Sequence, residues 1–234
     1  MKKGKLGVAV VTGGFGGIGG ATRKELAGQG YRVLSLDMQV APEDPLQVRC
    51  DIGDRAALLA ALERIEAEHG VIEVLVNNAA VFHGVDVMEM TPEIWDRSFA
   101  VNVNAAFFAA RHVAARLVAH RRGGAIVNVA SAAGRAGSPY VDYGASKAAV
   151  IGLTQSLGKA LARHGIRVNA VAPGQVMTDM HRSLTPERQA YNLQLIPMRR
   201  SGQPEEIARV IAFLASDAAS FMTGAIVDVN GGKL

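Results

Sequence analysis

The chain contains a single cysteine, Cys50, among its 234 residues, and aromatic residues make up only 5% of it. One cysteine excludes an intrachain disulfide and is typical of proteins from a reducing compartment. No uncharged apolar run reaches the ~18 residues that a membrane span requires. Glycines and Thr12 interrupt the apolar stretch after the basic residues 2–5, which argues against a signal peptide. We therefore expect a soluble cytoplasmic protein.

Charged residues are few and mixed in sign: they make up 20% of the chain, and the formal net charge is +4. A basic balance can indicate nucleic-acid binding, but here the charges are dispersed and aromatic residues are scarce. The densest basic cluster, at 111–122, has helical spacing and is typical of a solvated helix face. None of the six histidines forms a metal-type pair. The composition predicts no nucleic-acid partner, no membrane partner and no metal.

Apolar β-rich runs alternate with amphipathic stretches along the whole chain, without a linker or an internal repeat. The expected strands are 6–11, 32–36, 46–50, 72–76, 125–130, 167–172 and 225–229, and the expected helices are 17–29, 54–69, 93–120, 143–163 and 204–215. Near-continuous apolar strands in such alternation are typical of a parallel sheet covered on both faces. The sequence predicts one α/β domain over residues 1–234, a doubly wound Rossmann-type parallel sheet of about seven strands. Ligands of such sheets bind beyond the carboxyl ends of the strands.

A glycine-rich turn, TGGFGGIG at 12–19, joins the first predicted strand to the first predicted helix. Two registers are possible: G-x-G-x-x-G through Gly14, Gly16 and Gly19, or T-G-x-x-x-G-x-G through Thr12, Gly13, Gly17 and Gly19. Glycines let the backbone approach a pyrophosphate, whose charge the helix N-terminus favours. The turn therefore predicts dinucleotide binding.

Asp37 ends the second predicted strand, twenty residues after Gly17. A carboxylate at this position can accept hydrogen bonds from both adenosine ribose hydroxyls and would repel a 2′-phosphate. Met38 follows it, where an NADP site would tend to supply Arg or Lys. The pair predicts NAD in preference to NADP.

Tyr143 and Lys147 are spaced i, i+4 at the start of a predicted helix, so both side chains lie on one face. A phenol with a pKa near ~10 carries protons poorly at neutral pH, and a nearby ammonium favours its phenolate. Ser131 ends the preceding strand, where its hydroxyl could bond the same substrate oxygen. Ser131 lacks a G-x-S-x-G elbow, which disfavours a hydrolase.

Together these motifs resemble the single-domain branch of the short-chain dehydrogenase/reductase family, from Gly4 to Gly232. The matching segments are TGGFGGIG at 12–19, CDIGD at 50–54, NNAA at 77–80, VNV at 101–103, NVASAAG at 128–134, YGASK at 143–147, RVNAVAPGQVMT at 167–178 and TGAIVDVNGG at 223–232. Three departures stand out: NNAA replaces the usual NNAG, Ala130 precedes Ser131 in place of a serine pair, and only thirteen residues separate Asp37 from Asp51. The short separation predicts a loop where many relatives have a helix.

The resemblance implies a role for each residue of the site. Tyr143 would transfer the proton, Ser131 would orient the substrate oxygen, Lys147 would hold the nicotinamide ribose and lower the tyrosine pKa, and Asn102 would anchor a water beside Lys147. The implied cofactor contacts are Gly13, Phe15, Gly17, Ile18 and Gly19 at the pyrophosphate, Asp37 at the adenosine ribose, Asp51 and Ile52 at the adenine, Asn78 and Ala80 at the central ribose, Tyr143 and Lys147 at the nicotinamide ribose, and Pro173, Gly174, Val176 and Thr178 at the carboxamide.

The resemblance also implies an NAD-dependent oxidoreductase that interconverts a secondary alcohol, or a dihydrodiol, and a ketone. The turn and the segment 176–198 resemble 3-oxoacyl-thioester (ACP or CoA) reductases, whereas TDMHRSL at 178–184 resembles 2,3-dihydro-2,3-dihydroxybenzoate dehydrogenases. A non-catalytic NAD-sensing protein could use the same fold. The intact residues Asn102, Ser131, Tyr143 and Lys147 argue against that last alternative.

Three further expectations concern the periphery of the domain. The polar segment 176–198 is predicted to be a substrate lid, and His83 and His181 lie in loops that would flank the pocket. The predicted helices 93–120 and 143–163 carry small or apolar residues on more than one face, which predicts burial on both sides. Examples are Ala105, Ala109, Ala148, Val150 and Leu153. With the resemblance, this pattern predicts a homotetramer, with Leu234 near another interface.

Overall fold

The computed structural model describes residues 7–178 and 193–233, together with residues 185, 187 and 191. The strands are β1 (Val8–Thr12), β2 (Arg32–Asp37), β3 (Gln47–Arg49), β4 (Ile72–Asn77), β5 (Gly124–Val129), β6 (Ile166–Pro173) and β7 (Ile226–Val229). The α-helices within the described residues are α1 (Gly17–Gly28), α2 (Arg55–His69), α3 (Pro92–Phe99), α4 (Ala105–Ala119), α5 (Ala132–Ala136), α6 (Val141–Leu161) and α7 (Pro204–Ala215). Residue 234 and most of the segment 179–192 lie outside this description, and with them His181, Leu234 and a large part of the expected lid.

The seven strands form one parallel sheet in the order β3-β2-β1-β4-β5-β6-β7. Because successive side chains of a strand point to opposite faces, β1 contributes Val8 and Val10 to one core and Ala9 and Val11 to the other. Helices α2 and α4 cover the first face, and α1 and α7 cover the second. The predicted doubly wound parallel sheet is therefore confirmed.

The strand order reverses between β1 and β4, which are neighbours in the sheet although two strands separate them in sequence. From β1 the chain winds outward through β2 to β3, and from β4 it winds outward through β5 to β7. The connections at this switch point leave the sheet in opposite directions, which opens a crevice beyond the carboxyl ends of β1 and β4. The fold thus places a ligand site where the sequence motifs cluster.

The connection between β2 and β3 is a loop, as the short Asp37–Asp51 separation predicts. Asp44 organises it, because its carboxylate accepts hydrogen bonds from the Leu46 amide (3.0 Å) and the Gln47 side chain (3.0 Å). The same carboxylate forms a 2.7 Å ion pair with Arg23 of α1, so the loop is fastened to the helix that follows the glycine-rich turn.

The expected helix at 93–120 is present as one continuous helical run from Pro92 to Ala119, but it is not uniformly α-helical: a five-residue π-helical segment, Ala100–Asn104, divides it into α3 and α4. Val101 of this segment is buried, as is Ala105 at the start of α4. The apolar periodicity of the sequence therefore continues through the segment. Asn102 lies in the middle of this segment, and its side chain bonds to groups on another loop and on α6. Such π-bulges occur frequently at functional sites.

Two smaller differences concern helix ends and a helix that the sequence did not reveal. Helix α6 begins at Val141 rather than at 143, and α5 is only five residues long, too short to display a 3.6-residue period.

Among the described residues, no helix is long and apolar enough to cross a membrane.

Candidate active site

A cavity of about 620 Å³ extends along the carboxyl ends of the strands. This volume is in the range of small-molecule and cofactor sites. The predicted site residues that line it are Gly13, Phe15, Gly17, Ile18, Asp37, Asp51, Ile52, Asn78, Ala80, Ser131, Tyr143, Lys147, Pro173, Gly174, Val176 and Thr178. Gly19 and Asn102 lie behind its wall. The fold therefore brings almost the whole predicted set to one place.

The glycine-rich turn adopts a backbone that side chains would strain or block. Gly13 and Gly17 have φ values of +66° and +54°, in the region that favours glycine. A Cβ on Gly19 would lie 1.9 Å from the carbonyl oxygen of Gly13. Gly19 is therefore required for packing inside the turn, while the other two let the chain pass closely over the N-terminus of α1.

Hydrogen bonds between the ends of β1 and β4 hold this turn in place. The Asn78 side chain donates to the carbonyl oxygens of Thr12 (3.0 Å) and Gly13 (2.9 Å). In return, the Thr12 hydroxyl oxygen accepts from the backbone amides of Asn78 (3.0 Å) and Ala79 (3.1 Å). The Asn78 amide is thus used to shape the turn, although the residue also borders the cavity.

Asp37 lies at the end of β2 with its carboxylate fixed by backbone amides. One oxygen accepts from Phe15 of the turn (2.9 Å) and the other from Gln39 (3.0 Å). The turn and the carboxylate are therefore positioned together. No Lys or Arg side chain is hydrogen-bonded to Asp37 within the described part of the chain.

Asp51 occupies the adjoining end of the cavity and is paired with Arg97 of α3. The Arg97 guanidinium donates to Asp51 at 2.9 Å, and the Gly53 amide donates to the same oxygen at 2.9 Å. The hydrogen bond from Arg97 is the main reason why the pKa of Asp51 lies below its usual value. Sequence analysis missed Arg97, which lies on a helix 46 residues away with no motif around it. Cys50 beside it is buried, and burial raises its thiol pKa, which fits a packing role.

Tyr143 lies on the first turns of α6 and faces the cavity beside Ser131. Burial raises the pKa of the Tyr143 phenol, and the hydrogen bond with the Ser131 hydroxyl only partly offsets this. The sequence analysis expected a lowered pKa; in this structure desolvation of the phenol outweighs the favourable effect of its neighbours. Ser131 also caps α5, since its hydroxyl oxygen accepts from the Ala133 amide at 3.1 Å.

Lys147 is almost completely buried one helical turn after Tyr143. Its ammonium lies 5.8 Å from the centroid of the Tyr143 ring and donates to the carbonyl oxygen of Val129 at 2.7 Å. Burial lowers its pKa to about 8. An ammonium with one described hydrogen-bond acceptor retains donor capacity, which it can direct toward a ligand in the cavity.

Asn102 connects three parts of the site from behind. Its amide oxygen accepts from the Val81 amide (2.8 Å), and its nitrogen donates to the Val81 carbonyl (3.1 Å) and the Ser146 hydroxyl (3.0 Å). A small cavity of about 10 Å³ is lined by Asn102 and Lys147 and is about the size that one water needs. The side chain of Asn102 therefore fixes the backbone after β4 to α6.

Two aromatic residues that sequence analysis missed, Phe82 and Tyr140, line the cavity beside Tyr143. Their rings meet edge to face, with centroids 4.8 Å apart. The i, i+3 spacing of Tyr140 and Tyr143 on the chain was the available signal. His83, which was expected to flank the pocket, turns away from it toward Ser98 and Asp142.

The chain is similar to known proteins over nearly its whole length. A family profile described as enoyl-(acyl carrier protein) reductase matches residues 13–233. The 3-oxoacyl-[acyl-carrier-protein] reductase FabG of Thermotoga maritima is 38% identical over 238 residues, 96% of either chain. The uncharacterized oxidoreductase YgfF of Escherichia coli is 39% identical, with 97% of this chain and 100% of YgfF covered. The crystal structure of gox2181 has a TM-score of 0.91 at 33% identity, with 97% of this chain and 95% of that chain covered.

The buried ammonium of Lys147 gives a testable dependence of stability on pH. Below pH 8 the group is charged in both the folded and the unfolded chain, so the full cost of burial is present. Between pH 8 and 10.5 only the unfolded chain keeps the proton, so stability rises with pH. Relative to Lys147→Met, the wild-type free energy of unfolding should increase by up to about 3 kcal/mol across this window. Urea unfolding at a series of pH values measures it.

The matched control for this experiment is Lys159→Met, which removes an exposed ammonium from the same helix. Its stability difference from the wild type should stay constant over the same window. If the difference in the free energy of unfolding between the wild type and Lys147→Met were also constant with pH, burial would not disfavour the charged form of Lys147 in the folded protein.

Proposed function

The chain belongs to the short-chain dehydrogenase/reductase family of oxidoreductases that act on CH–OH and ketone groups with a nicotinamide cofactor, and we propose that it uses NAD to interconvert a secondary alcohol or a dihydrodiol and a ketone. The observation that carries this proposal is the convergence of Ser131, Tyr143 and Lys147 on the cavity that also contains the glycine-rich turn and Asp37. A non-catalytic NAD-sensing protein would need only the residues that bind the cofactor. The presence of Ser131, Tyr143 and Lys147 in the same cavity therefore favours an enzyme.

The residues of the cavity fit a dinucleotide. The backbone around Gly16 has open space where a Cβ would project, whereas a Cβ on Gly13 would lie 2.8 Å from the Cα of Ala79. The turn therefore leaves room on its cavity side and is tightly packed behind. Together with the N-terminus of α1, this arrangement suits a pyrophosphate.

Each end of the cavity supplies groups of suitable chemistry for the rest of the cofactor. Asp37 would accept from the adenosine ribose hydroxyls, with Asp51 and Ile52 beside the adenine. Asn78 and Ala80 would lie beside the central ribose, and Lys147 would donate to the nicotinamide ribose. The carboxamide side would be held by Pro173, Gly174, Val176 and Thr178. When bound, the nicotinamide accepts or donates the hydride.

The protein's own part in the reaction is to hold and move one proton. In oxidation, the Tyr143 phenolate oxygen takes the hydroxyl proton of the alcohol; in reduction, the phenol returns it to the carbonyl oxygen. The Ser131 hydroxyl bonds the same substrate oxygen and orients it. The Lys147 ammonium adds a positive charge beside the tyrosine, and the small cavity next to Asn102 can hold the water that links this ammonium to solvent.

A 3-oxoacyl-thioester reductase is the alternative that a specific observation favours. Relatives such as FabG of Thermotoga maritima and MabA of Mycobacterium tuberculosis, 37% identical, are named 3-oxoacyl-[acyl-carrier-protein] reductases. Biosynthetic reductases usually take NADPH, and Asp37 disfavours its 2′-phosphate. The two candidates are distinguished by comparing NADH-dependent and NADPH-dependent reduction of acetoacetyl-CoA with NAD-dependent oxidation of a panel of secondary alcohols and dihydrodiols.

The lid and the location of the protein also belong to this proposal. Residues 176–198 would close over the substrate end of the cavity, where the described residues Val176 and Thr178 already form its border. The single cysteine, Cys50, and its burial fit a cytoplasmic protein.

The cofactor preference is tested at Asp37. NAD should bind at least about tenfold more tightly than NADP, about 1.4 kcal/mol, because the 2′-phosphate would meet a carboxylate. Asp37→Ala should reduce or reverse the ratio of the affinity for NAD to the affinity for NADP, as measured by isothermal titration calorimetry. Glu43→Ala, which removes an exposed carboxylate from the adjoining loop, should leave it unchanged. Equal affinities in the wild type would rule out the preference.

The proton transfer is tested at Tyr143. Tyr143→Phe keeps the ring and removes the hydroxyl, so cofactor binding should survive while turnover falls about 10²–10⁴-fold, the usual value of general acid–base catalysis. Steady-state kinetics with the best alcohol of the panel measures it. Tyr31→Phe, which removes a hydroxyl outside the cavity, is the control. Retention of more than about a tenth of wild-type turnover in Tyr143→Phe would place the proton carrier elsewhere.

We also propose a homotetramer that buries the outer faces of α4 and α6. Of the residues that suggested it, Ala105, Ala109 and Val150 are buried in the protomer's own core, whereas Ala148 is exposed on α6. Phe107 of α4 adds an exposed aromatic ring. Light scattering should give four times the 24.6 kDa of one chain at micromolar concentration, and Ala148→Arg should lower the mass. A monomeric wild type would refute the assembly.

A further inference from the structure

A buried acidic cluster lies directly behind the proposed catalytic tyrosine and has no part in the reaction as described. Asp142 precedes Tyr143 on α6 and is completely buried. One of its carboxylate oxygens accepts from the Ser98 hydroxyl at 2.5 Å and from His83 Nδ1 at 3.3 Å. The other oxygen is buried without a hydrogen-bond partner among the described residues. We call Ser98, Asp142 and His83 the Asp142 cluster.

The Asp142 carboxyl is ionised at neutral pH. Burial raises its pKa, but hydrogen bonds, above all the one from Ser98, outweigh burial, and the pKa lies below its usual value. Because a carboxylate only accepts hydrogen bonds, His83 must carry its proton on Nδ1. The same Nδ1 lies 3.1 Å from the Ser98 oxygen, so one N–H serves both partners.

A buried carboxylate with one unpaired oxygen lowers the stability of the folded protein. The Asp142 cluster nevertheless joins three separate parts of the chain. Ser98 comes from α3, Asp142 from α6, and His83 from the loop after β4. This loop has no regular secondary structure around residue 83, and Gly84 has a φ of +67°. The side chain of His83 therefore anchors the loop to the start of the catalytic helix.

The residue held by this anchor is Phe82, which faces the cavity. Its ring meets Tyr143 edge to face, with centroids 5.3 Å apart, and meets Tyr140 in the same way at 4.8 Å. The ring thus borders the part of the cavity where the proposed reaction would place a substituent of the reacting carbon. An apolar, rigidly held ring at this point selects an apolar substituent.

We propose that the Asp142 cluster positions Phe82, and that Phe82 is a specificity-determining residue which packs against an apolar substituent on the carbon that Tyr143 serves. The substrate class is thus a secondary alcohol or ketone with an apolar group on that carbon, an inference that rests on the proposed function. His83 and Asp142 act through Phe82 and are positioning residues.

The first test needs no turnover. The chain has four tyrosines, and 3-fluorotyrosine labelling gives each a fluorine resonance, assigned with single Tyr→Phe variants. Loss of the His83 anchor frees the Phe82 ring, so His83→Leu should shift or broaden the Tyr140 and Tyr143 signals and leave Tyr31 unaffected. His83→Asn keeps a donor near the position of Nδ1 and should restore the wild-type spectrum. If His83→Leu left Tyr143 unchanged while Phe82→Ala shifted it, Phe82 would be held without the cluster.

The second test measures the consequence for substrate selection. His83→Leu should raise KM for a substrate with an apolar substituent about two- to tenfold, the cost of ordering one mobile side chain, and Phe82→Ala, which removes the ring and its contact, should raise KM at least as much. The double variant should show no further increase, because both changes remove the same ordered ring. The affinity for NAD should stay within twofold of the wild type. Additive increases in KM, or equal increases for substrates of any substituent, would overturn the proposal.

Failure of this inference is distinguishable from failure of the proposed function. If the wild type oxidises or reduces no member of the panel, the proposed function fails, while the fluorine spectra still decide whether the cluster positions Phe82. If His83→Leu does not fold, Ser98→Ala replaces it as the variant that loosens the cluster, because it removes the contacts of Ser98 with Asp142 and His83 and keeps the contact between His83 and Asp142; His83→Asn stays the variant expected to match the wild type.

Discussion

The hydrogen bonds between Asn78 and the end of β1 are the interaction on which the rest of the site depends. At this point two adjacent parallel strands send the chain in opposite directions, and the backbone pairing of β1 with β4 ends at Val11 and Val76. The Asn78 side chain and the Thr12 hydroxyl supply four hydrogen bonds across the gap. They give the glycine-rich turn its shape, and through the amide of Phe15 they also fix the orientation of Asp37.

The other end of the cavity is governed by desolvation. Lys147 is buried and the hydroxyl of Tyr143 is desolvated, so the charged form of each is disfavoured. The protein tolerates this because the surrounding polar groups are held by other parts of the fold: Asn102 by the Val81 backbone, and the start of α6 by the Asp142 cluster. Burial thus brings the Lys147 ammonium, with a pKa of about 8, close to the balance between its charged and neutral forms, whereas it favours the neutral form of Tyr143.

Much of this arrangement could be predicted from the sequence because the motifs are local and follow strands. Most of the motifs follow a strand's carboxyl end, and a parallel sheet brings those ends to one edge, so Asp37 and Ser131 could be grouped without coordinates, whereas Tyr143 on α6 joined them through the family resemblance. Arg97 and Phe82 could not, since neither lies in a local pattern and both reach the site through tertiary packing. The π-helical segment was hidden for a related reason: its apolar residues keep the helical period, and only the partners of Asn102 reveal it. The raised pKa of Tyr143 depends on burial, which spacing does not encode.

The last turn of α3 contacts both ends of the cavity. Arg97 and Ser98 are consecutive residues, yet Arg97 binds Asp51 at the end next to Asp37, and Ser98 binds Asp142 behind Tyr143. The backbone hydrogen bonds of one helical turn position both residues. A substitution that alters the backbone of this turn therefore disturbs both contacts, and its effects on the two ends of the cavity cannot be assigned to either end alone.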